Sequence, residues 1–343
     1  MGGPHPSEQA RRLLLTATKI LVSASLLGLA VWRIGPGRLR DSIAGTNLWW
    51  LLAAVVVFSV SNLLGSLQWG MLLRGRGVFL RVRQVLGYYY VGLFFNNFLI
   101  GYVGGDAFRV FDAARASGNP AGAMSAVLLD RLVGFATLTS LAVVAALSWH
   151  SAAGHVVSLA VLVAVFLLWV LVLLFFFSKR VANPVVYLFE RVLPLGFKNR
   201  ARQVYSQVND YRHSPLLLAE VLGVSLVVQL LRVAVHYFAA LSLGIRVNFL
   251  FFLVFVPIIA LLSSLPVSLG GIGVREQSGV LLFSRIGVAE PGAVAMQFLA
   301  YLVGVVSTVP GGVVLVLRRE HRRADPQVPP VVASLAKGNE ERR

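Results

Sequence analysis

The chain has 343 residues, of which 57% are hydrophobic and only 13% are charged. A soluble domain is closer to half apolar and a quarter charged, so this composition excludes a soluble globular protein. Lys and Arg together number 31 against 14 Asp and Glu, which gives a net charge of +17. Because basic and aromatic residues do not interleave on a polar surface, we assign this charge to the ends of membrane spans and exclude nucleic acid as a partner.

Long apolar stretches follow one another along the chain. The first, at residues 13–32, has one lysine, Lys19. Its apolar sequence continues past a small-residue triplet, so we predict an uncleaved span and not a signal peptide. A helix needs about 20 residues to cross a bilayer. We therefore predict an all-α integral membrane protein with about six full transmembrane helices, at residues 13–32, 48–73, 122–149, 155–178, 215–243 and 291–317.

The distribution of arginine and lysine sets the expected orientation. The loops after residues 73 and 178 and the segment after residue 317 are rich in these residues, whereas the loop at 150–155 has none. By the positive-inside rule, both termini are then cytoplasmic and the protein lies in the inner (cytoplasmic) cell membrane. One loop breaks this pattern, with Arg33, Arg38 and Arg40 on the outer side.

The predicted spans divide the chain into three parts. Residues 1–12 form a cytoplasmic N-terminal segment, 13–318 a single polytopic membrane domain, and 319–343 a basic, disordered cytoplasmic tail.

Two apolar segments, 84–120 and 249–290, are not used by the six spans. Each begins and ends on one side of the membrane, the first inside and the second outside. We therefore predict two broken or re-entrant hairpins that insert from opposite faces.

The two predicted hairpins share a motif. The first contains NNFLIGYVGGDAFR at residues 96–109, and the second contains SSLPVSLGGIGVRE at residues 263–276. When the glycine pair at 104 and 105 is laid on the pair at 270 and 271, Arg109 falls on Arg275. Matching motifs with opposite insertion indicate an inverted repeat, whose interface typically holds the substrate site near the membrane midplane.

Glycine followed by arginine suits the binding of an anion. Glycine lets the chain leave the helix and brings backbone N–H groups close to a ligand. An arginine one turn later adds a planar fork that fits phosphate or carboxylate. The alternative is that the glycines only allow tight helix packing, while Asp106 caps the helix that follows.

Ionisable residues inside apolar segments cost roughly 2.5 to 3.5 kcal/mol each at the bilayer centre and therefore mark candidate sites. Arg232 and His236 are four residues apart on one helical face, which we expect to face the bundle interior. Asp130 and Arg131 are candidates as well, with a structural ion pair as the alternative. The candidate substrate-binding residues are Asn97, Gly104, Gly105, Asp106, Arg109, Asp130, Arg131, Arg232, His236, Ser268, Gly270, Gly271, Arg275 and Glu276.

These motifs resemble the flippase-like, lysylphosphatidylglycerol synthase transmembrane-region family, over about residues 15–318. The resemblance implies lipid translocation, with carboxylate and guanidinium groups handling the headgroup and the lysyl-transferring domain on a separate unit. The chain departs from the family at Ile100, where a proline is usual. The resemblance is strongest at the segment from Asn97 to Arg109, at Asp130 and Arg131, and at LPVSLGGIGVRE, residues 265–276.

We therefore predict a lipid translocase that moves a phospholipid or another anionic or zwitterionic headgroup through a polar midplane cavity. Arg109 and Arg275 would engage the headgroup, and Asp106, Asp130 and Glu276 would balance its charge or carry protons. No catalytic motif, metal-ligand motif or cofactor motif is recognised in the sequence. The expected partners are membrane lipids, with a homo-oligomer or a separate lipid-modifying enzyme as further possibilities.

Two other functions remain open at this stage. The protein could be a non-transporting membrane subunit or accessory factor of a glycolipid or polyprenyl-phosphate pathway. It could also be a membrane enzyme that uses Asp130 and Glu276 as acid and base, although no nucleophile or metal set supports that function.

Overall fold

The computed structural model describes residues 44–98, 103–148, 159–177, 195–264 and 271–324. The described part is helical and contains no strand, which confirms the all-α prediction. The predicted first span at 13–32, Ser268, Gly270 and the tail beyond residue 324 lie outside it. The helices are α1 (Leu48–Gly75), α2 (Val82–Phe98), α3 (Val103–Ser117), α4 (Pro120–Ser148), α5 (Leu159–Phe177), α6 (Leu195–Asn209), α7 (Pro215–Ser242), α8 (Phe249–Ser264), α9 (Val274–Phe283) and α10 (Glu290–Ala324).

Four of these helices are long and apolar enough to cross a membrane: α1, α4, α7 and the part of α10 up to Leu317. Each contains 28 or 29 residues in its apolar part, more than the roughly 20 that a bilayer requires. The wholly apolar α5 and the shorter α8 accompany them. Together with the composition, these helices identify an integral membrane protein.

Helix α1 shows that the apolar surface faces outward. Polar side chains on its other face are buried in the bundle, including Ser61, Asn62, Ser66 and Gln68. This distribution is the reverse of a soluble helix and fits a lipid-facing exterior around a polar interior. The exposed large residues recur every three or four positions, at Leu48, Leu52, Val56, Val60, Leu63 and Leu67.

Helices α1 and α7 lie antiparallel and define the two ends of the bundle. At one end, the Asn47 N–H donates to the Ser242 carbonyl at 2.7 Å. At the other end, the Tyr211 hydroxyl donates to the Leu72 carbonyl at 2.7 Å. Burial raises the pKa of this hydroxyl, so it remains protonated and able to donate. We call the end at Tyr211 the basic end, because Arg74, Arg76, Arg81 and Arg83 lie there. The end at Asn47 is the distal end.

The first hairpin consists of α2 and α3 and enters from the basic end. Its base is fixed there, since the Asn119 side-chain N–H donates to the Arg76 carbonyl at 3.1 Å. The two helices run antiparallel, because the Gly105 N–H near the start of α3 reaches the Asn96 Oδ1 near the end of α2 at 2.9 Å. The hairpin therefore enters and returns at the same end.

The second hairpin consists of α8 and α9 and enters from the distal end. Helix α8 begins just after α7 ends there. The Phe252 and Phe283 rings, 5.1 Å apart, join the outer ends of the two helices. Gly271 approaches Ser263 at their inner ends. The two hairpins thus insert into the bundle from opposite ends, in the arrangement that the charge distribution predicts.

The glycine pairs of the two hairpins serve different purposes. The prediction that glycine breaks the helix is wrong for Gly104 and Gly105, because both lie within the first turn of α3. Gly105 instead packs against the carbonyl of Gly92 so closely that a side chain would overlap it. In the second hairpin, Gly271 and Gly273 have φ values of +76° and +84°, which favour glycine.

We expect Gly105→Ala to lower the free energy of unfolding by about 1–3 kcal/mol or more, since the added methyl group would meet backbone that cannot move aside. Thermal unfolding of the purified protein in detergent measures this loss. Gly223→Ala in α7 is the matched control, because its methyl group would meet nothing within 4 Å. Equal stability of the two variants would contradict the close contact between α2 and α3.

Candidate functional site

A cavity of about 260 Å³ lies at mid-depth in the bundle. Each of the four long helices contributes a lining residue from near its midpoint, which places the cavity halfway between the basic and distal ends. Irregular or polar structure at this depth is tolerated where it lines a cavity. These midpoint residues are Asn62 of α1, Gly134 of α4, Gln229 of α7 and Gly304 of α10.

Both hairpins reach this cavity from their opposite ends. The first supplies Tyr89 and Asn97 from α2 and Arg109 from α3, and the second supplies Ser264 from α8 and Arg275 from α9. The two arginines that the shared motif singles out therefore line the same cavity.

Four charged residues form a cluster at one side of the cavity: Asp106, Arg109, Asp130 and Arg131. The Arg109 Nη1 lies 3.3 Å from the Asp106 Oδ1, and its Nη2 lies 3.0 Å from the Asp130 Oδ2. Arg131 donates twice to Asp106, from Nε at 2.6 Å and from Nη2 at 2.9 Å. Asp130 and Arg131 thus each reach across to the first hairpin, and this charge cluster joins that hairpin to α4.

The Arg109 side chain is enclosed on its other faces. It is 2% exposed, and its guanidinium carbon lies 4.5 Å from the ring centres of both Trp69 and Tyr89. The Gln68 side-chain N–H donates to the Asp130 Oδ1 at 2.8 Å and fixes the carboxylate that Arg109 contacts. With two carboxylates and two rings around it, Arg109 is held in one position.

The side of the cavity formed by α1, α7 and α9 has a different character. Arg232 and His236 lie one turn apart on α7, and Arg275 lies 4.6 Å from the centre of the Tyr301 ring. Within the described chain, no carboxylate lies within ion-pair distance of Arg232. Because Arg232 and His236 both line the cavity, this face of α7 points into the bundle, as the spacing of the two residues predicts.

Several polar atoms on this side have no hydrogen-bond partner among the described residues. They are the Arg232 Nε, the His236 Nδ1 and both amide atoms of Asn62, whose side chain is fully buried. A buried polar group without a partner costs about 1–3 kcal/mol. Unsatisfied buried groups of this kind are uncommon in folded proteins and mark this side of the cavity as a candidate site.

The remaining predicted residues that the structure describes contact other parts of the chain, and all of them except Asn97 lie outside the cavity lining. Glu276 is 1% exposed and accepts the Gly273 N–H at 2.6 Å, so it caps the start of α9 and does not line the cavity. The Asn97 side-chain N–H donates to the Thr308 hydroxyl at 2.6 Å and joins the first hairpin to α10. Asp106 lies behind the cavity wall, and Gly104, Gly105 and Gly271 do not line the cavity either.

Backbone N–H groups at the glycine motifs are already engaged within the chain. The Gly105 N–H donates to Asn96 and the Gly273 N–H donates to Glu276. The anion cradle expected from backbone N–H groups is therefore filled by the protein's own side chains at these two positions. At these two positions the N–H groups are therefore not available to a ligand.

Motif analysis missed several residues of the site. The sequence signal was present in α1, where polar side chains interrupt an otherwise apolar span, but no motif there indicated a site. Helix α10 gave no comparable signal. The missed residues are Asn62, Gln68 and Trp69 of α1 and Tyr301 and Thr308 of α10.

We expect Asp130→Asn to lower the free energy of unfolding by about 3 kcal/mol, since it leaves the buried Arg109 with one carboxylate in place of two. Denaturant or thermal unfolding in detergent measures this change. The control is Asp210→Asn, whose carboxylate is 49% exposed and lies 3.8 Å from Arg76, so it should cost less than about 1 kcal/mol. A cost for Asp130→Asn no larger than that of the control would show that the cluster does not hold the hairpin.

The sequence is similar to a curated protein and matches a known family. A curated relative, the UPF0104 membrane protein PH1989 of Pyrococcus horikoshii, is 23% identical over 323 residues, which covers 88% of this chain and 96% of the relative. Residues 16–311 match the family described as the lysylphosphatidylglycerol synthase TM region. This match includes both hairpins, the charge cluster and every described residue that lines the cavity. The chain therefore belongs to the lysylphosphatidylglycerol synthase transmembrane-region family.

Proposed function

We propose that the protein is a lipid translocase that moves an anionic or zwitterionic headgroup across the membrane through the midplane cavity. The observation that carries this proposal is the cavity itself, which lies at mid-depth and receives an arginine from each of two oppositely inserted hairpins, Arg109 and Arg275. A site equally far from both membrane faces can accept a headgroup from either side if the hairpins open alternately.

The charge of the cavity supports a headgroup with negative charge. Asp130 is the only acidic residue in its described lining, and Asp106 lies just behind it. These two carboxylates pair with Arg109 and Arg131, and no carboxylate of the described residues lies within ion-pair distance of Arg232, which favours an anionic ligand. The four arginines of the lining are Arg109, Arg131, Arg232 and Arg275.

The size of the cavity supports binding of a headgroup without its acyl chains. About 260 Å³ is below the roughly 300–1,000 Å³ of pockets that hold drug-sized ligands. The exposed faces of α1 and α10 are rich in leucine and valine, so acyl chains can stay in the surrounding membrane while the headgroup passes.

We propose that transport occurs without chemical change of the lipid and that any lipid-modifying step belongs to a separate enzyme. Asp130 and Glu276, the acid and base of the catalytic alternative, do not face a common ligand, because Glu276 lies outside the cavity lining. In the cell we place the basic end on the cytoplasmic side of the inner membrane, following the positive-inside rule.

We expect Arg275→Gln to reduce the initial rate of lipid transfer at least about tenfold, because one charge-assisted contact to the headgroup is lost. The measurement uses the purified protein in vesicles with a fluorescent anionic phospholipid and a quencher added outside. Arg74→Gln, an exposed arginine at the basic end, is the control and should transfer lipid at the wild-type rate.

Two outcomes would contradict the proposal. A wild-type protein that retains lipid on purification but transfers none would instead support a non-transporting subunit. Equal transfer by Arg275→Gln and wild type would remove Arg275 from the headgroup path.

A further inference from the structure

A second recess lies between α2 and α10 near the basic end, and we call it the α2–α10 groove. It is open, has a volume of about 470 Å³ and shares no lining residue with the midplane cavity. Its wall contains the exposed Pro310, and Val309 and Val313 beside it on α10 are exposed as well. Because the exposed apolar surface of a membrane span faces lipid, the groove opens toward the membrane.

The lining of the groove changes from polar to apolar with depth. Arg83, whose side chain is exposed, and Gln84 lie in the first turn of α2 at the basic end. Tyr90 is seven residues beyond Arg83, about 10 Å deeper along the helix. The apolar wall between these levels includes Leu86 of α2 and Val314 of α10. A cation above an apolar wall matches a phospholipid, whose phosphate lies at the interface and whose chains run inward.

The charge at the mouth of the groove favours an anionic phospholipid. No acidic side chain is among the described residues that line it. Neither Arg83 nor the neighbouring Arg81 lies within ion-pair distance of a carboxylate in the described ranges. A soluble anion could use the arginine but would gain nothing from the apolar wall, whereas an acyl chain gains from both its burial and its contacts there.

The same two helices lead from the groove to the midplane cavity. Beyond Tyr90, Asn97 of α2 lines the cavity. Gly304 and Thr308 of α10 line it too, and they come just before Pro310 in the chain. The seam between α2 and α10 therefore runs from the groove at the basic end to the cavity at mid-depth.

A glycine contact and a hydrogen bond close this seam. Gly311 packs against the backbone carbonyl of Tyr90 so closely that a side chain would overlap it. The Asn97 side-chain N–H donates to the Thr308 hydroxyl at 2.6 Å. Pro310 has no N–H, so α10 lacks one main-chain hydrogen bond at this level, which favours a bend. The seam is therefore closed at a point where α10 is able to bend.

We propose that the α2–α10 groove binds one anionic phospholipid from the leaflet at the basic end and is the entrance to the cavity. The phosphate lies at Arg83, and an acyl chain lies against Leu86 and Val314. When the contact at Gly311 loosens, the headgroup passes between α2 and α10 while the chain stays in the membrane. The binding site is defined without reference to transport, whereas the passage into the cavity rests on the proposed function.

The binding experiment uses native mass spectrometry of the full chain in detergent, with phosphatidylserine as the anionic probe and phosphatidylcholine as the neutral one. We expect the wild type to bind phosphatidylserine about fivefold more tightly, and Arg83→Gln to lose this preference. Arg74→Gln removes the same charge from the basic end outside the groove and should keep the preference. Displacement of phosphatidylserine by inorganic phosphate at equal concentration would overturn the assignment to a lipid.

A matched pair of variants on α10 tests the apolar wall. Val314→Trp fills the groove and should weaken the binding of both lipids about fivefold or more. Val316→Trp adds the same ring on the exposed face outside the groove and should bind as the wild type does. If Val314→Trp does not fold, as judged by thermal unfolding, Leu86→Trp fills the groove from α2. Unchanged binding in both Arg83→Gln and the folded tryptophan variant would overturn the site.

The passage experiment measures lipid transfer in vesicles. The chain has no cysteine, so the double variant Asn97→Cys with Thr308→Cys places one pair of thiols across the seam. We expect its disulfide to slow transfer at least about tenfold relative to the same variant after reduction, because α2 and α10 can no longer separate. Binding of phosphatidylserine should not differ between the two states. Each single-cysteine variant under the same oxidant is the control, and Val314→Trp should slow transfer where Val316→Trp does not.

The outcomes separate this inference from the proposed function. Binding that depends on Arg83, together with no transfer by the wild type, would refute the proposed function and keep the groove. Equal transfer by the oxidised and reduced double variant would refute the passage and keep the proposed function. If the disulfide does not form, wild-type transfer by Val314→Trp despite its weakened binding would refute the passage in the same way.

Discussion

The pairing of Arg109 with Asp106 and Asp130 is the interaction on which the arrangement of the site depends. A charge at this depth is tolerated only when it is paired, because an uncompensated buried ion costs several kcal/mol. The first hairpin carries Arg109 and Asp106, and α4 carries Asp130 and Arg131. The hairpin can therefore occupy the bundle only in the register that matches these charges, and this register brings Tyr89 and Asn97 to the cavity.

The architecture was predictable from the sequence because it follows from lengths and charges that are local in the chain. Apolar stretches longer than a bilayer and clusters of arginine determine the spans and leave two segments that must turn back. The inward face of α7 was predictable for the same reason, since Arg232 and His236 are four residues apart. The contacts of the site were not, because Gln68 and Asp130 meet across 62 positions of sequence.

The glycine motifs illustrate how one pattern can serve two physical needs. Close packing requires a missing side chain at Gly105, while a left-handed backbone requires one at Gly271. The sequence contains a glycine pair in both places and cannot distinguish the two. The matched arginines diverge as well: Arg109 is enclosed by the charge cluster, whereas Arg275 lies over Tyr301 at the cavity. The repeat therefore predicts where each arginine lies, but not which contacts it makes.

Helix α1 supports our proposal that the cavity has a function and is not a packing defect. A membrane helix gains nothing in stability from a buried amide without partners, because leucine would fill the same position without that cost. Asn62 nevertheless lies there, fully buried, beside a cavity whose arginines exceed its carboxylates. We propose that an anionic headgroup offsets part of this cost when it binds, so that occupancy depends on the charge of the headgroup.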